Sequence, residues 1–105
     1  MKKLISKIKQ FNEERDWDQF HSPENLAKSI SIEAGELLEC FQWSSNYDIE
    51  EVKSELADII NYSLLLADKL EVDPEKIVLD KMAITAKKYP VSKSKGVSTK
   101  YTKLQ

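Results

Sequence analysis

Glycine and proline are scarce in this sequence, with two and three residues among 105, so a sheet built on tight hairpin turns has little to turn on. Cysteine occurs once, at Cys40, which excludes an internal disulfide. Histidine also occurs once, at His21, too few for a histidine-built metal centre. Long apolar runs are missing, and the opening Met1-Lys2-Lys3-Leu4-Ile5 has neither the form of a signal peptide nor that of a membrane span. No charge sign dominates. Sixteen Lys and Arg face eighteen Asp and Glu, a net charge of -2, which provides no global field to draw in a nucleic acid polymer. These absences predict a cytoplasmic protein with no membrane or nucleic acid partner. What is abundant is Leu, Ala, Glu and Lys at helical spacing, and at this length one domain with a core is expected. The composition predicts an all-α fold.

Leu4, Ile5, Ile8 and Phe11 recur at helical spacing, predicting a first helix from Lys3 to about Asp16. After the aromatic connector Trp17-Asp18-Gln19-Phe20-His21, Ser22 is a good N-cap and Pro23 suits the first position of a second helix. On its wheel Leu26, Ala27, Ile30, Ala34, Leu37, Leu38 and Phe41 form the core arc, with Glu33 and Glu36 on one edge. Asp48-Ile49-Glu50-Glu51 resembles a capping box opening a third helix. There Val52, Leu56, Ile59, Ile60, Ser63, Ala67 and Leu70 share a face, flanked by a strip of Glu55, Asp58 and Tyr62. Asp73-Pro74 starts a fourth helix, carrying Ile77, Val78, Met82 and Ile84, which Pro90 stops. The expected organisation is a helical domain over 1–90, built as a four-helix-bundle-like fold, and a flexible basic tail over 91–105. The second buried-looking side of helix three predicts an oligomer.

Glu33-x-x-Glu36 and Glu55-x-x-Asp58 place carboxylates beside hydrocarbon stripes. Like charges about 4 Å apart repel by about 4 kcal/mol at an effective dielectric near 20, and burial adds a desolvation cost unless a cation compensates. A divalent ion resolves both. Oxygen-only donors favour Mg²⁺ or Mn²⁺ over zinc and copper, and ferritin-like iron chemistry would need Glu-x-x-His on the helices. The same spacing recurs at Glu13 to Asp16 and at Glu36 to Glu39, so it is placement beside the apolar arcs that distinguishes the two pairs.

Arg15-Asp16-Trp17, Phe20-His21-Ser22-Pro23-Glu24-Asn25-Leu26, Glu33-Ala34-Gly35-Glu36-Leu37, Phe41-Gln42-Trp43, Glu55-Leu56-Ala57-Asp58-Ile59, Lys81-Met82 and Lys88-Tyr89-Pro90 occur in this order. Together they resemble the MazG-like nucleotide pyrophosphohydrolases, in particular the small single-domain members that include dCTP pyrophosphatases. The resemblance spans about Arg15 to Pro90. It implies an all-α bundle assembling as a dimer or tetramer and using Mg²⁺ to cleave nucleoside triphosphates to monophosphate and pyrophosphate. It also implies that Glu33, Glu36, Glu55 and Asp58 are metal ligands, and it places the base pocket near Trp17, His21 and Trp43. Thr85 stands where dCTP pyrophosphatase-like members often carry Asn, which leaves substrate choice more open than reaction class.

In this reading a carboxylate such as Glu36, or Glu33, takes a proton from the attacking water, and Lys81 stabilises charge on the phosphates. Tyr62, one turn beyond Asp58, lines the base pocket or supports a ligand. Each has a plainer alternative: surface salt bridges for the acids, packing for Trp17, Trp43 and Tyr62, helix capping for His21, solubility for Lys81. The alternative functions are a non-catalytic helical interaction module and a family member that binds nucleotide without turnover.

Overall fold

The computed structural model describes residues 1–43 and 45–104, and every element among them is helical. α1 spans Lys2–Glu14, α2 Pro23–Glu39, α3 Ile49–Lys69, α4 Pro74–Lys88 and α5 Val91–Ser94, with 3₁₀ turns at Asp18–Phe20 and Tyr101–Lys103. The fold is all-α, as the composition predicts.

Each long helix after the first starts on a side-chain cap. Ser22 Oγ accepts from the Asn25 backbone N–H at 3.2 Å. Asp48 Oδ1 accepts from Glu50 N–H at 3.0 Å, and Asp73 Oδ1 from Glu75 and Lys76 N–H at 2.9 and 3.3 Å. These caps satisfy donors that a helix start leaves open, each worth about 1 kcal/mol.

Two helix ends are unusual because no glycine makes the turn. Asp16 (φ 55°) and Glu71 (φ 57°) occupy the left-handed conformation that normally favours glycine. Around them Trp17 N–H reaches Asn12 O and Val72 N–H reaches Ala67 O, both at 3.0 Å, while Asp16 N–H meets Glu13 O and Glu71 N–H meets Asp68 O. Both are Schellman closures. Asn12 is buried at the first, with its amide donating to Ile8 O at 2.8 Å.

The chain divides into two compact units, Met1–Val72 and Asp73–Gln105. In the first, α3 packs mainly on α2 and also on α1. Leu26 of α2 is fully buried, and Leu64, Leu65 and Ala67 of α3 nearly so; these make the core. The rest of the expected α2 core arc is less covered. Leu38 is 71% exposed, Phe41 is exposed, and Ala27 and Ala34 lie open. The arc is wider than the face that α3 covers.

In the second unit α4 keeps Ile77, Val78, Met82 and Ile84 exposed. The loop after α4 returns to it: Tyr101 N–H donates to the Tyr89 hydroxyl at 2.9 Å, and the two rings meet edge to face at 5.9 Å. Charge is distributed unequally, with fifteen acids against eight bases in the first unit and three against eight in the second.

Candidate active site

α2 and α3 pack along their lengths, and the two acidic edges meet on the side leading away from the leucine core. Glu33, Glu55 and Asp58 each offer an oxygen, and all three oxygens lie within 4.8 Å of one another. Glu33 and Glu55 are partly buried, whereas Glu36 and Asp58 are exposed.

Glu36 belongs to the same group. Its side-chain hydrogen bond is the largest influence pushing Glu33 up to about 7, followed by desolvation and by the charges of Glu36 and Asp58. Glu55 is also pushed above the usual carboxylate range, first by desolvation and then by the hydrogen bond and charge of Glu36. Without a cation, these carboxylates lower their mutual repulsion by retaining protons.

Two atoms indicate what else could satisfy the group. Glu33 Oε2 and Glu55 Oε2 are buried with no hydrogen-bond partner, an arrangement that carries a desolvation penalty unless an ion or donor meets them. Convergent oxygen donors, two of them orphaned and buried, fit a hard divalent cation.

The other residues singled out from sequence fall into separate places. Tyr62 is beside the carboxylates: burial raises its hydroxyl pKa, and the charges of Glu33, Asp58 and Glu36 add to the effect. The His21 ring meets Tyr62 edge-on at 6.4 Å, and its buried Nδ1 has no partner. His21, Tyr62 and the four acids are therefore one neighbourhood.

Trp17 belongs to a different cluster. It packs edge-on against Phe11 at 5.9 Å, with the Arg15 guanidinium 3.6 Å above the Phe11 ring. Trp43 is 88% exposed. Lys81 is in the second unit, on the α4 face with Ile77, Met82 and Thr85.

Two features escaped the sequence reading. A groove of about 530 Å³ between α1 and α3 runs up to Asp58, lined by Ile8, Phe11, Ile60 and Asn61 among others. Asn61 continues the acidic strip by wheel position, one turn beyond Asp58. A polar recess of about 430 Å³ is lined by Glu36, Glu39, Cys40, Glu51 and Glu55, where burial, then Glu51 and Glu55, raise the Cys40 thiol pKa. The proximity of Glu51 to Cys40 is a tertiary contact with no signal in helical spacing.

Comparison with known proteins identifies the family. The profile of the MazG-like family matches residues 28–104. The chain is 38% identical to dCTP pyrophosphatase 1 of Rattus norvegicus, 40% to that of Bos taurus and 37% to that of Homo sapiens, with 90% of this chain aligned in each case. It spans 62% of the length of these relatives. The crystal structure of a pyrophosphatase from Archaeoglobus fulgidus is similar at a TM-score of 0.78 and 41% identity, covering 86% of this chain and 92% of that one. Among the described residues no helix is long and apolar enough to cross a membrane.

Proposed function

Because the chain belongs to the MazG-like family, we propose that it is a Mg²⁺-dependent nucleoside triphosphate pyrophosphohydrolase, with Mn²⁺ as a substitute ion, acting on pyrimidine deoxynucleotides such as dCTP. The observation that carries the proposal is the convergence of Glu33, Glu55 and Asp58 within 4.8 Å, with two of their buried oxygens unpartnered. The dCTP pyrophosphatase relatives support the substrate class.

Glu33, Glu36, Glu55 and Asp58 hold the ions, which when bound supply Lewis-acid charge against the polyphosphate. Water attacks the α-phosphorus, the bond from that phosphorus to the α–β bridging oxygen breaks, and pyrophosphate leaves with the electron pair. Glu36, exposed and near enough to raise the pKa of both Glu33 and Glu55, takes the water's proton. Lys81 stabilises charge on the phosphates. Tyr62 and His21 form the wall next to the carboxylates, and Trp17 and Trp43 offer aromatic faces to the base.

The working form in this proposal is a homodimer or homotetramer. Supporting it are the open apolar surfaces of Leu38 on α2, of Phe41 just after it, and of Ile77, Val78 and Met82 on α4, which a second copy would cover. Those same surfaces favour the rival reading, a non-catalytic interaction module.

Product analysis separates the two. With Mg²⁺ and a panel of nucleoside triphosphates, the enzyme yields monophosphate and pyrophosphate, and its melting temperature rises with Mg²⁺. An interaction module yields no product and melts at the same temperature with or without the ion. Diphosphate plus orthophosphate as products would overturn the assigned point of attack.

A further inference from the structure

The packing of this chain gives no reason for Gly35. It stands inside α2, where glycine costs about 1 kcal/mol relative to alanine, and a β-carbon built on it meets no atom within 4 Å. What glycine offers there and alanine does not is close approach of another group to the backbone.

The surroundings of Gly35 are apolar and open. It lies on the side of α2 opposite the fully buried Leu26. Ile32 and Leu38 flank it at about 60° to either side on the wheel, and they are 62% and 71% exposed. Next to Gly35 is a recess of about 430 Å³ lined by Leu38, Glu39, Phe41 and Gln42, with the Phe41 ring braced by Tyr47 at 4.9 Å. All of these residues belong to the first unit.

We propose that this face is covered by the same face of a second copy, the two α2 helices crossing antiparallel at Gly35 about a two-fold axis. Two-fold dimers use one patch twice, and two registers bring Gly35 against Gly35. In the parallel register each residue meets its own counterpart, so Lys28 faces Lys28 and Glu39 faces Glu39, and like charges so placed repel. In the antiparallel register Ile32 comes level with Leu38 of the second copy and enters the recess beside its Gly35. Lys28, paired in its own helix with Glu24 at 3.2 Å, then comes within one turn of Glu39 of the second copy. Symmetry makes each of these contacts twice. Charge therefore selects the antiparallel crossing.

A lipid surface suits this face less well. Helix faces that lie on membranes are bordered by Lys and Arg, whereas Glu24, Lys28 and Glu39 border this one. Glu33 is about 160° from Gly35 on the wheel, so the crossing leaves the carboxylate group open. The interface rests on the homo-oligomer proposed above and is independent of the reaction assigned to that group.

The test is register-specific cross-linking of the full chain. In a Cys40→Ser background, Ile32→Cys and Leu38→Cys are made as separate single-cysteine variants and oxidised mildly, alone and mixed. In the antiparallel register identical positions lie about 9 Å apart along the helix, beyond the about 7 Å that a disulfide bridges. The mixture should therefore give several times more covalent dimer than either variant alone. Sedimentation equilibrium reads the charges: Lys28→Glu and Glu39→Lys each weaken self-association by about tenfold, and mixing the two restores it as a heterodimer. Circular dichroism melts confirm that these surface variants fold.

Efficient linking of each cysteine variant to itself, with no gain on mixing, overturns the antiparallel crossing. A dimer in sedimentation that links in neither case overturns this face and leaves the oligomer standing, whereas a monomer at every concentration overturns both. Cross-linking as expected in a chain that releases no pyrophosphate upholds the interface and overturns the enzymatic reading instead.

Discussion

The two ends of α3 handle burial in opposite ways. Near its C-terminus Leu64, Leu65 and Ala67 are buried, as is Leu26 on the neighbouring α2, and this apolar burial is favourable without any ligand. Two to three turns earlier Glu55 and Asp58 face Glu33 and Glu36, and their contacts are unfavourable while every carboxylate is charged and uncompensated. One helix thus carries both the structural core and the candidate site, and the core must hold the carboxylates together against their repulsion. If this division is right, changes at the two ends affect different observables.

The largest expected effect is on activity at the acidic end. Glu55→Gln or Glu36→Gln removes a ligand charge while keeping the side chain's shape, and should reduce pyrophosphate release by about 10³-fold, comparable to losing a preorganised charge-stabilising group. The metal-free variant should melt no lower than the wild type, because a repelling charge has gone. Circular dichroism melts in EDTA beside a pyrophosphate assay check this. A melting temperature that falls together with activity would make these acids structural.

Next in size is the opposite lesion. Leu26→Ala deletes a fully buried side chain and should cost about 2–5 kcal/mol of folding stability, read by urea unfolding. Below the unfolding transition its Mg²⁺ requirement should match that of the wild type. A changed metal dependence would mean that the core and the site are not separable.

pH sharpens the comparison further. Glu33 titrates near 7 in the folded metal-free chain against an ordinary 4.5, and Glu55 is shifted in the same direction. A carboxyl whose folded pKa is raised contributes stability that is fully present below its unfolded pKa and lost as pH climbs through the folded one. In EDTA the melting temperature should therefore decline from about pH 4.5 to about pH 7. Mg²⁺, which displaces those protons, should stabilise more strongly toward the upper end of that window. A flat profile in EDTA would mean that the acids do not share protons.

How much of this the sequence reveals depends on how local each determinant is. Ser22, Asp48 and Asp73 are legible as caps because a cap involves only its own first turn. The acidic edges are legible because α2 and α3 are regular, so wheel position and actual face agree, and the family motifs add the expectation of shared metal ligation. The turns at Asp16 and Glu71 are less so, since acids there disguise a conformation usually marked by glycine. Leu38 and Phe41 read as core because a wheel counts apolar residues but does not show how many neighbours exist to cover them. The closure of Tyr101 on Tyr89 joins residues twelve apart through a non-periodic segment, which helical periodicity cannot register.

The smallest predicted effect tests how loosely the acidic end of α2 is packed. Gly35 sits inside the helix between Glu33 and Glu36, and a β-carbon built there meets no atom within 4 Å. An interior helical glycine costs about 1 kcal/mol relative to alanine. With open space around it, Gly35→Ala should raise stability by about that amount, measured by urea unfolding at low protein concentration. At higher concentration the same variant reports on the proposed oligomer. If a second copy seats its backbone against Gly35, the added methyl obstructs it, and size-exclusion chromatography with light scattering should detect a shift toward monomer. A gain in stability with unchanged assembly would put the oligomer contact elsewhere, at the exposed apolar face of α4. The acidic end would then be soft because a ligand, and not a partner helix, completes it.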